Sequence, residues 1–417
     1  MAGAAILAAF VRPSLFRPPH RLVDASIVAC LLVTGAQLIP LPLAVRAAIS
    51  PAAAEVERQL LFDAGASTRP LSLDAASTLW ALASGTAMAL IFWSARSVFA
   101  RGAGLRVVAR WTAWFGLALA AVMFVQRAAT PGLIYGFWTP MTRASHPTPL
   151  GPFVNRNDIA TWLMLACPLV VGYLMARWSS RVARPGGRRN IETFVDSRAL
   201  WLGMSACLMI AALLASLSRS GLFGAAVAVC VFALLARRRV SGRRLGWSLA
   251  AVGLAVAVAT MYVNLDALAQ RISDTLPSNL GGRLAVWRET WPMARDFPLT
   301  GIGVGAFERG MLVYQQSTRL IFFNHAHNEY LQVLVEGGWL LAAPAAIAIV
   351  VGWWGVRARL GSDRTPMFWV RVGAASGLAA VAAQSLWDTG LRMPASAVLF
   401  AIVAAAALHD DPAPDIF

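Results

Sequence analysis

Apolar runs of about 20 residues recur along this chain, and that is the length an α-helix needs to cross the hydrocarbon core of a bilayer. The constraint is severe. In lipid every backbone N–H and C=O must find its partner within the fold, so a spanning chain becomes either a helical bundle or a closed barrel. The alternating ten-residue pattern of a barrel is absent here, which leaves the bundle. Charge agrees: 13% of the 417 residues are charged, against about 25% in a soluble domain.

We read ten spans, near residues 22–42, 74–96, 108–128, 158–177, 198–217, 220–236, 245–264, 331–356, 367–387 and 393–408. The expected fold class is therefore all-α, a polytopic transmembrane bundle of about 10–12 spans with a large structured loop on the outer side. Residues 1–21 form a half-span or interfacial segment. Their apolar run, Met1 to Val11, is too short to span and lacks the positive n-region of a cleaved signal peptide. Residues 22–264 hold helices one to seven, 265–330 the outer loop, 331–408 helices eight to ten, and 409–417 a cytoplasmic tail.

Charge sets the orientation. The net charge is +16 and all 36 basic residues are Arg. Five segments, Arg12–Arg21, Arg96–Arg110, Arg177–Arg198, Arg237–Arg244 and Arg357–Arg371, hold 22 of them and alternate with Arg-poor loops. Cytoplasmic loops of membrane proteins collect positive charge, so these five face the cytoplasm and both termini are cytoplasmic. In a membrane protein this bias accounts for the basic balance without a nucleic-acid partner. The four cysteines lie inside apolar runs without metal-ligand spacing and read as small packing residues.

The longest loop, 265–330, then lies outside. Its Trp287, Trp291, Phe297, Phe307, Phe322 and Phe323 argue for packing rather than disorder. Here the chemistry-bearing residues gather. His325 and His327 lie two apart in Asn324-His325-Ala326-His327-Asn328-Glu329-Tyr330, at the mouth of the eighth span. Histidine is suited to proton transfer near neutral pH, although the same pair could simply hydrogen-bond at the head of the helix. An i, i+2 pair does not share a helix face, and no second metal-ligand motif accompanies it. Glu329 and Asp388 are the carboxylates within reach of such a role.

Arg219 lies in Ser216-Leu217-Ser218-Arg219-Ser220-Gly221, between two apolar runs. A charge there must snorkel or meet an anion, and the flanking hydroxyls suit an anion. Arg283 follows Gly281-Gly282 and opens a short amphipathic stretch, a position suited to phosphate. Arg319 shares the loop. A guanidinium binds two oxygens at once, which matches a diphosphate. Gly301-Ile302-Gly303-Val304-Gly305 is no phosphate loop, since no Gly-Lys-Ser/Thr follows and no βαβ unit surrounds it. It reads as a tight turn docking the loop. Asn155-Arg156-Asn157-Asp158 opens the fourth span, where Asn157 or Asp158 can cap the helix and Arg156 can join an anion site.

In order along the chain, Phe153 to Asn157, Ser218 to Gly221, Arg283 to Trp287 with Pro298 to Phe307, His327 to Leu331 with Glu336-Gly337-Gly338, and Asp388 before Pro394-Ala395 resemble the O-antigen ligase/polymerase-like family of bacterial membrane glycosyltransferases. The resemblance runs from about residue 150 to 400. It implies a multi-pass inner-membrane enzyme with its site facing the periplasm. Such an enzyme takes a glycan from an undecaprenyl diphosphate-linked donor and passes it to a hydroxyl of lipid A-core, or of another glycan in a polymerase. It implies a metal-independent, inverting transfer without cofactors, with membrane lipids as the surroundings. By position, His327 resembles the catalytic histidine, and Arg219 and Arg283 resemble the arginines that hold the diphosphate. His325, Arg156, Asn157, Asn328, Arg319 and Asp388 stand as supporting candidates. The competing class is a transporter or flippase, which would show broken helices and polar groups at mid-membrane.

Overall fold

The computed structural model describes residues 1–60, 65–100, 104–130, 133–139, 151–182, 196–240, 282–317 and 322–409. The expected seventh span, Arg319 and residues 265–281 lie outside these. The fold is all-α and polytopic, as the apolar runs require. Among the described residues six helices are long and apolar enough to cross a membrane. The one sheet among the described residues is a two-residue antiparallel pair, Leu41–Pro42 with Thr68–Arg69.

The chain divides into two compact units, 1–93 with 273–355 and 385–389, and 94–272 with 356–384 and 390–417. In chain order the helices of the first unit are α1 (Ala2–Val11), α2 (Arg21–Ala36), α3 (Leu43–Ile49), α4 (Pro51–Gln59) and the start of α5 (Ala75–Phe99). The second unit holds α6 (Gly104–Ala129), α7 (Arg156–Val182), α8 (Ser197–Ala215) and α9 (Arg219–Ala236). The first unit resumes with α10 (282–296), α11 (Phe307–Tyr314) and the start of α12 (Glu329–Ser362). Helices α13 (Phe368–Gln384) and α14 (Pro394–Ala407) return to the second.

The first unit differs from the sequence expectation at its start. The span expected over 22–42 stops as a helix at Ala36. Pro40 and Pro42 cannot continue it, because each lacks an N–H and forces the residue before it into extended backbone. Beyond them α3 and α4, unforeseen in the sequence, complete a small core. Ala53 and Val56 of α4 join Leu73, Met293, Ala294, Phe297, Ile302, Phe307, Met311 and Val335 in one buried cluster. The aromatic loop thus packs on helical partners of its own unit. Arg46 ties the corner together, bonding both carboxylate oxygens of Glu57 at 2.8 and 2.9 Å and the Pro70 carbonyl at 2.7 Å.

The glycine-rich run is a docking turn. Ile302 N and Gly303 N donate to the carbonyls of Val335 and Glu336, both at 3.0 Å, and Leu73 N donates to the Ile302 carbonyl at 2.8 Å. Gln37, just past α2, closes the turn. Its amide nitrogen donates to Thr300 O at 2.7 Å and Glu336 O at 2.9 Å, and its amide oxygen accepts from Val304 N at 3.0 Å. Across the turn α12 breaks at Gly338, whose φ of 59° and ψ of −166° are open to glycine and costly for any other residue. A Cβ there would come within 2.2 Å of the Leu299 carbonyl oxygen. The amides freed by the break are satisfied by that loop: Trp339 N donates to Pro298 O and Leu340 N to Leu299 O.

In the second unit α7 is the most enclosed of the six long helices. It packs on α13 through glycines. A Cβ on Gly172 would lie 2.3 Å from Trp369 O, and one on Gly373 would lie 2.1 Å from Pro168 O. Gly373 and Gly377, four apart, form the small-residue stripe by which membrane helices bring their backbones together. Within a bilayer this close dispersion contact replaces the hydrophobic driving force of water.

Candidate functional site

The chemistry-bearing residues of the first unit lie where α10, the segment 322–328, the head of α12 and the segment 385–389 meet. Helix α10 is amphipathic in fact as in pattern: Val286, Thr290, Met293 and Ala294 are buried. Arg283 lies in its first described turn and Trp287 one turn on. The indole N–H of Trp287 donates to the Ala326 carbonyl at 2.9 Å, pinning the residue between the two histidines. The other side of Ala326 is pinned as well. Its N–H donates to Gln332 Oε1 at 3.0 Å, and Gln332 Nε2 donates to Glu336 Oε1 at 2.9 Å. Gln332 and Glu336 are almost wholly buried, so this relay runs out of water, where hydrogen bonds are strong and costly to break.

Asn328 caps α12 by accepting from Leu331 N at 3.1 Å, and Glu329 N donates to Ser385 O at 2.9 Å. His327 itself has a φ of 50°, in the left-handed region that a residue with a Cβ rarely occupies. Such backbone persists only where its surroundings over-determine it, and it concentrates at functional sites. The relay on one side and the cap on the other supply that constraint.

His327 is half-buried, and loss of hydration holds its pKa below the ordinary histidine value of 6.5. The buried carboxylate of Asp388 acts in the opposite direction, and the Arg283 guanidinium adds to the lowering. Three residues picked from the sequence 105 positions apart at the extremes (Arg283, His327 and Asp388) therefore share one electrostatic environment. Burial thus favours the neutral imidazole, while the carboxylate favours the imidazolium once a proton arrives. That is the arrangement of a general base. His325 lies partly buried in the same segment. Beside Asn328 opens a cleft of about 790 Å³ floored by Trp287, Trp291 and Tyr330 and edged by Arg288 and Arg295.

A second polar cluster belongs to the other unit. Leu217, with a φ of 52°, turns the chain between α8 and α9. Ser218 caps α9 by accepting from Gly221 N at 3.1 Å, and its hydroxyl donates to Asn157 Oδ1 at 2.7 Å. Asn155 Oδ1 accepts from Asn157 N at 2.9 Å. Thr161 donates to Gln384 Oε1 at 2.7 Å, and Gln384 Nε2 reaches Ser220 Oγ at 3.3 Å. Gly221 is required by space, since a Cβ would lie 2.6 Å from that of Ala160. This net of buried Thr161, Ser218, Ser220 and Gln384 with half-buried Asn157 sets Arg219 at the first residue of α9, where its side chain remains partly exposed. Arg156 is exposed at the head of α7.

His327, Arg283, Asp388, Asn328 and His325 thus belong to one unit, and Arg219, Asn157 and Arg156 to the other. Trp287, Gln332 and Glu336, which hold the histidine segment, were not singled out in the sequence as positioning groups. The i, i+4 spacing of Gln332 and Glu336, two polar residues on one face of an apolar helix, was the available signal.

Residues 204–345 match the family model described as O-Antigen ligase. The match takes in Arg219, Arg283, the docking turn, His327 and the Glu336-Gly337-Gly338 break, and so supports an O-antigen ligase-like family and glycan transfer of the ligase or polymerase type. No curated protein matches the chain.

Proposed function

From the O-antigen ligase-like character of residues 204–345, we propose that this multi-pass membrane protein transfers a glycan from undecaprenyl diphosphate to an acceptor hydroxyl at the periplasmic face of the bacterial inner membrane, with lipid A-core as the acceptor. The observation that carries the proposal is the half-buried His327, on a segment fixed by Trp287 and Gln332, whose burial favours the neutral ring within the fields of Asp388 and Arg283.

The chemistry follows from those groups. His327 takes the proton of the acceptor hydroxyl as the oxygen attacks the anomeric carbon. The bond from that carbon to the diphosphate oxygen breaks, and undecaprenyl diphosphate leaves with the electron pair. Attack opposite the leaving group inverts the anomeric centre. Asp388 stabilises the imidazolium formed, and Arg219 and Arg283, the arginines that the family resemblance gives to the diphosphate, neutralise its charge; because undecaprenyl diphosphate is then a good leaving group, the transfer proceeds without a metal. The aromatic floor of the cleft beside Asn328 suits a sugar or prenyl face.

The test is a reaction of purified protein with lipid diphosphate-linked glycan and an acceptor. A new glycosidic bond without an ion gradient supports the transferase. Movement of substrate without bond formation identifies a transporter instead. The phenotype of a deletion strain separates the acceptors: loss of capped lipopolysaccharide for a ligase, loss of secreted polysaccharide for a polymerase.

A further inference from the structure

At the far end of the second unit's helices lies a cleft that the transfer reaction does not use. It has a volume of about 700 Å³ and is lined by residues of α6, α7 and α8. Three of its residues are arginines, Arg110, Arg177 and Arg198, and none of the described lining residues is acidic. Its walls are aromatic. The rings of Trp114 and Trp201 meet at a tilt of 42° with centres 4.5 Å apart, and the ring centres of Trp111 and Phe115 are 6.0 Å apart. Trp111, Trp114 and Phe115 are each more than half exposed.

The depth of this cleft is fixed by the helices. Arg177 stands 20 residues along α7 from Asn157, about 30 Å at 1.5 Å per residue. Helix α8 starts at the cleft with Ser197 and ends beside Ser216 and Ser218. The cleft and the Arg219 cluster are therefore at opposite surfaces of one bilayer thickness. Tryptophan with arginine is the composition of the headgroup layer. Arg177 is already paired with Asp196, N···O 3.0 Å, and Asp196 also caps α8 through Ala199 N at 2.7 Å. Arg110 and Arg198 are exposed at the rim.

We infer that this cleft binds an anionic glycerophospholipid, its headgroup phosphate between Arg110 and Arg198 and an acyl chain along Trp111, Trp114 and Phe115. Basic pockets between membrane helices take such headgroups. A free phosphate would satisfy the arginines and leave the aromatic wall exposed, so the lipid is the fitting occupant. The inference rests on the multi-pass fold and is independent of the transferase reading.

Native mass spectrometry of the full chain in mild detergent tests it, with phosphatidylglycerol and phosphatidylcholine of the same acyl chains added in turn. The expected result is roughly tenfold more retained phosphatidylglycerol, falling to the phosphatidylcholine level in the double variant Arg110→Gln/Arg198→Gln. Arg357→Gln, which removes an exposed arginine outside the cleft, should keep the preference. Equal retention of the two lipids by the unmodified protein overturns the inference, as does a double variant that retains phosphatidylglycerol undiminished. In a separate arm, excess inorganic phosphate should leave the phosphatidylglycerol complex intact. Its displacement by phosphate alone would show an anion site without a lipid groove.

Discussion

His327 combines a left-handed backbone, a half-buried ring and two opposed charges, and each has a measurable consequence. Burial favours the neutral imidazole, so the acid limb of the kcat/KM profile is expected below the ordinary histidine value of about 6.5. Asp388 favours the protonated ring, so Asp388→Asn should move that limb to lower pH still. A limb that moves upward, or does not move, would separate Asp388 from His327. The stability sign runs the same way. The unfolded chain binds the proton more readily, so the fold is favoured above about pH 6.5 and loses that advantage as pH falls through the lowered value. At Arg219 the geometry of the group matters more than its charge. Arg219→Lys should lose most transfer activity, because a point charge cannot replace the two-oxygen fork. Turnover near that of the unmodified protein would make Arg219 structural.

The elements divide into those written in the sequence and those created by packing. The apolar runs expected at 74–96, 108–128 and 220–236 appear as α5, α6 and α9 with ends shifted by a few residues, because a twenty-residue apolar stretch has one stable answer in lipid. The docking turn was legible too, since its glycines lacked the lysine of a phosphate loop. Helices α3 and α4 were not: they are short, and α4 is amphipathic over a single face holding Ala53 and Val56. Nor was Gln37, since a glutamine at a helix end carries no pattern that names its three backbone partners from Thr300 to Glu336. That makes it a sharp test. Gln37→Leu removes the Gln37 partner of the Thr300 carbonyl and of the Val304 N–H, and one of the two donors to the Glu336 carbonyl, in a buried place; at roughly 2 kcal/mol or more it should lower the Tm in detergent clearly. An unchanged Tm would mean the turn is held by its backbone bonds alone. Gln332→Leu cuts the relay to Ala326 one step from the proposed base. It should lower kcat with KM little changed, and a raised KM at constant kcat would show that the relay serves binding instead.

At the scale of the whole molecule, order of motifs carried further than any single motif. Histidine, arginine and glycine segments spread from Asn155 to Asp388 pointed to one family, and the match over residues 204–345 covers the middle of that set. Spacing alone could not have brought Arg283, His327 and Asp388 into one electrostatic environment, because a helix broken at Gly338 and two loops intervene. Transfer should need neither an ion gradient nor a metal, so EDTA should leave the rate unchanged; full inhibition rescued by a divalent cation would remove the metal-free mechanism. Reporter fusions within residues 282–317 should mark the periplasm, and fusions at either terminus the cytosol. The central claim is that His327 deprotonates the acceptor, and one rate measures it: product formed by His327→Ala from lipid diphosphate-linked glycan and acceptor, with membrane insertion verified. A loss of about 10²–10⁴-fold is predicted for a missing general base, whereas turnover matching the unmodified protein would contradict the mechanism.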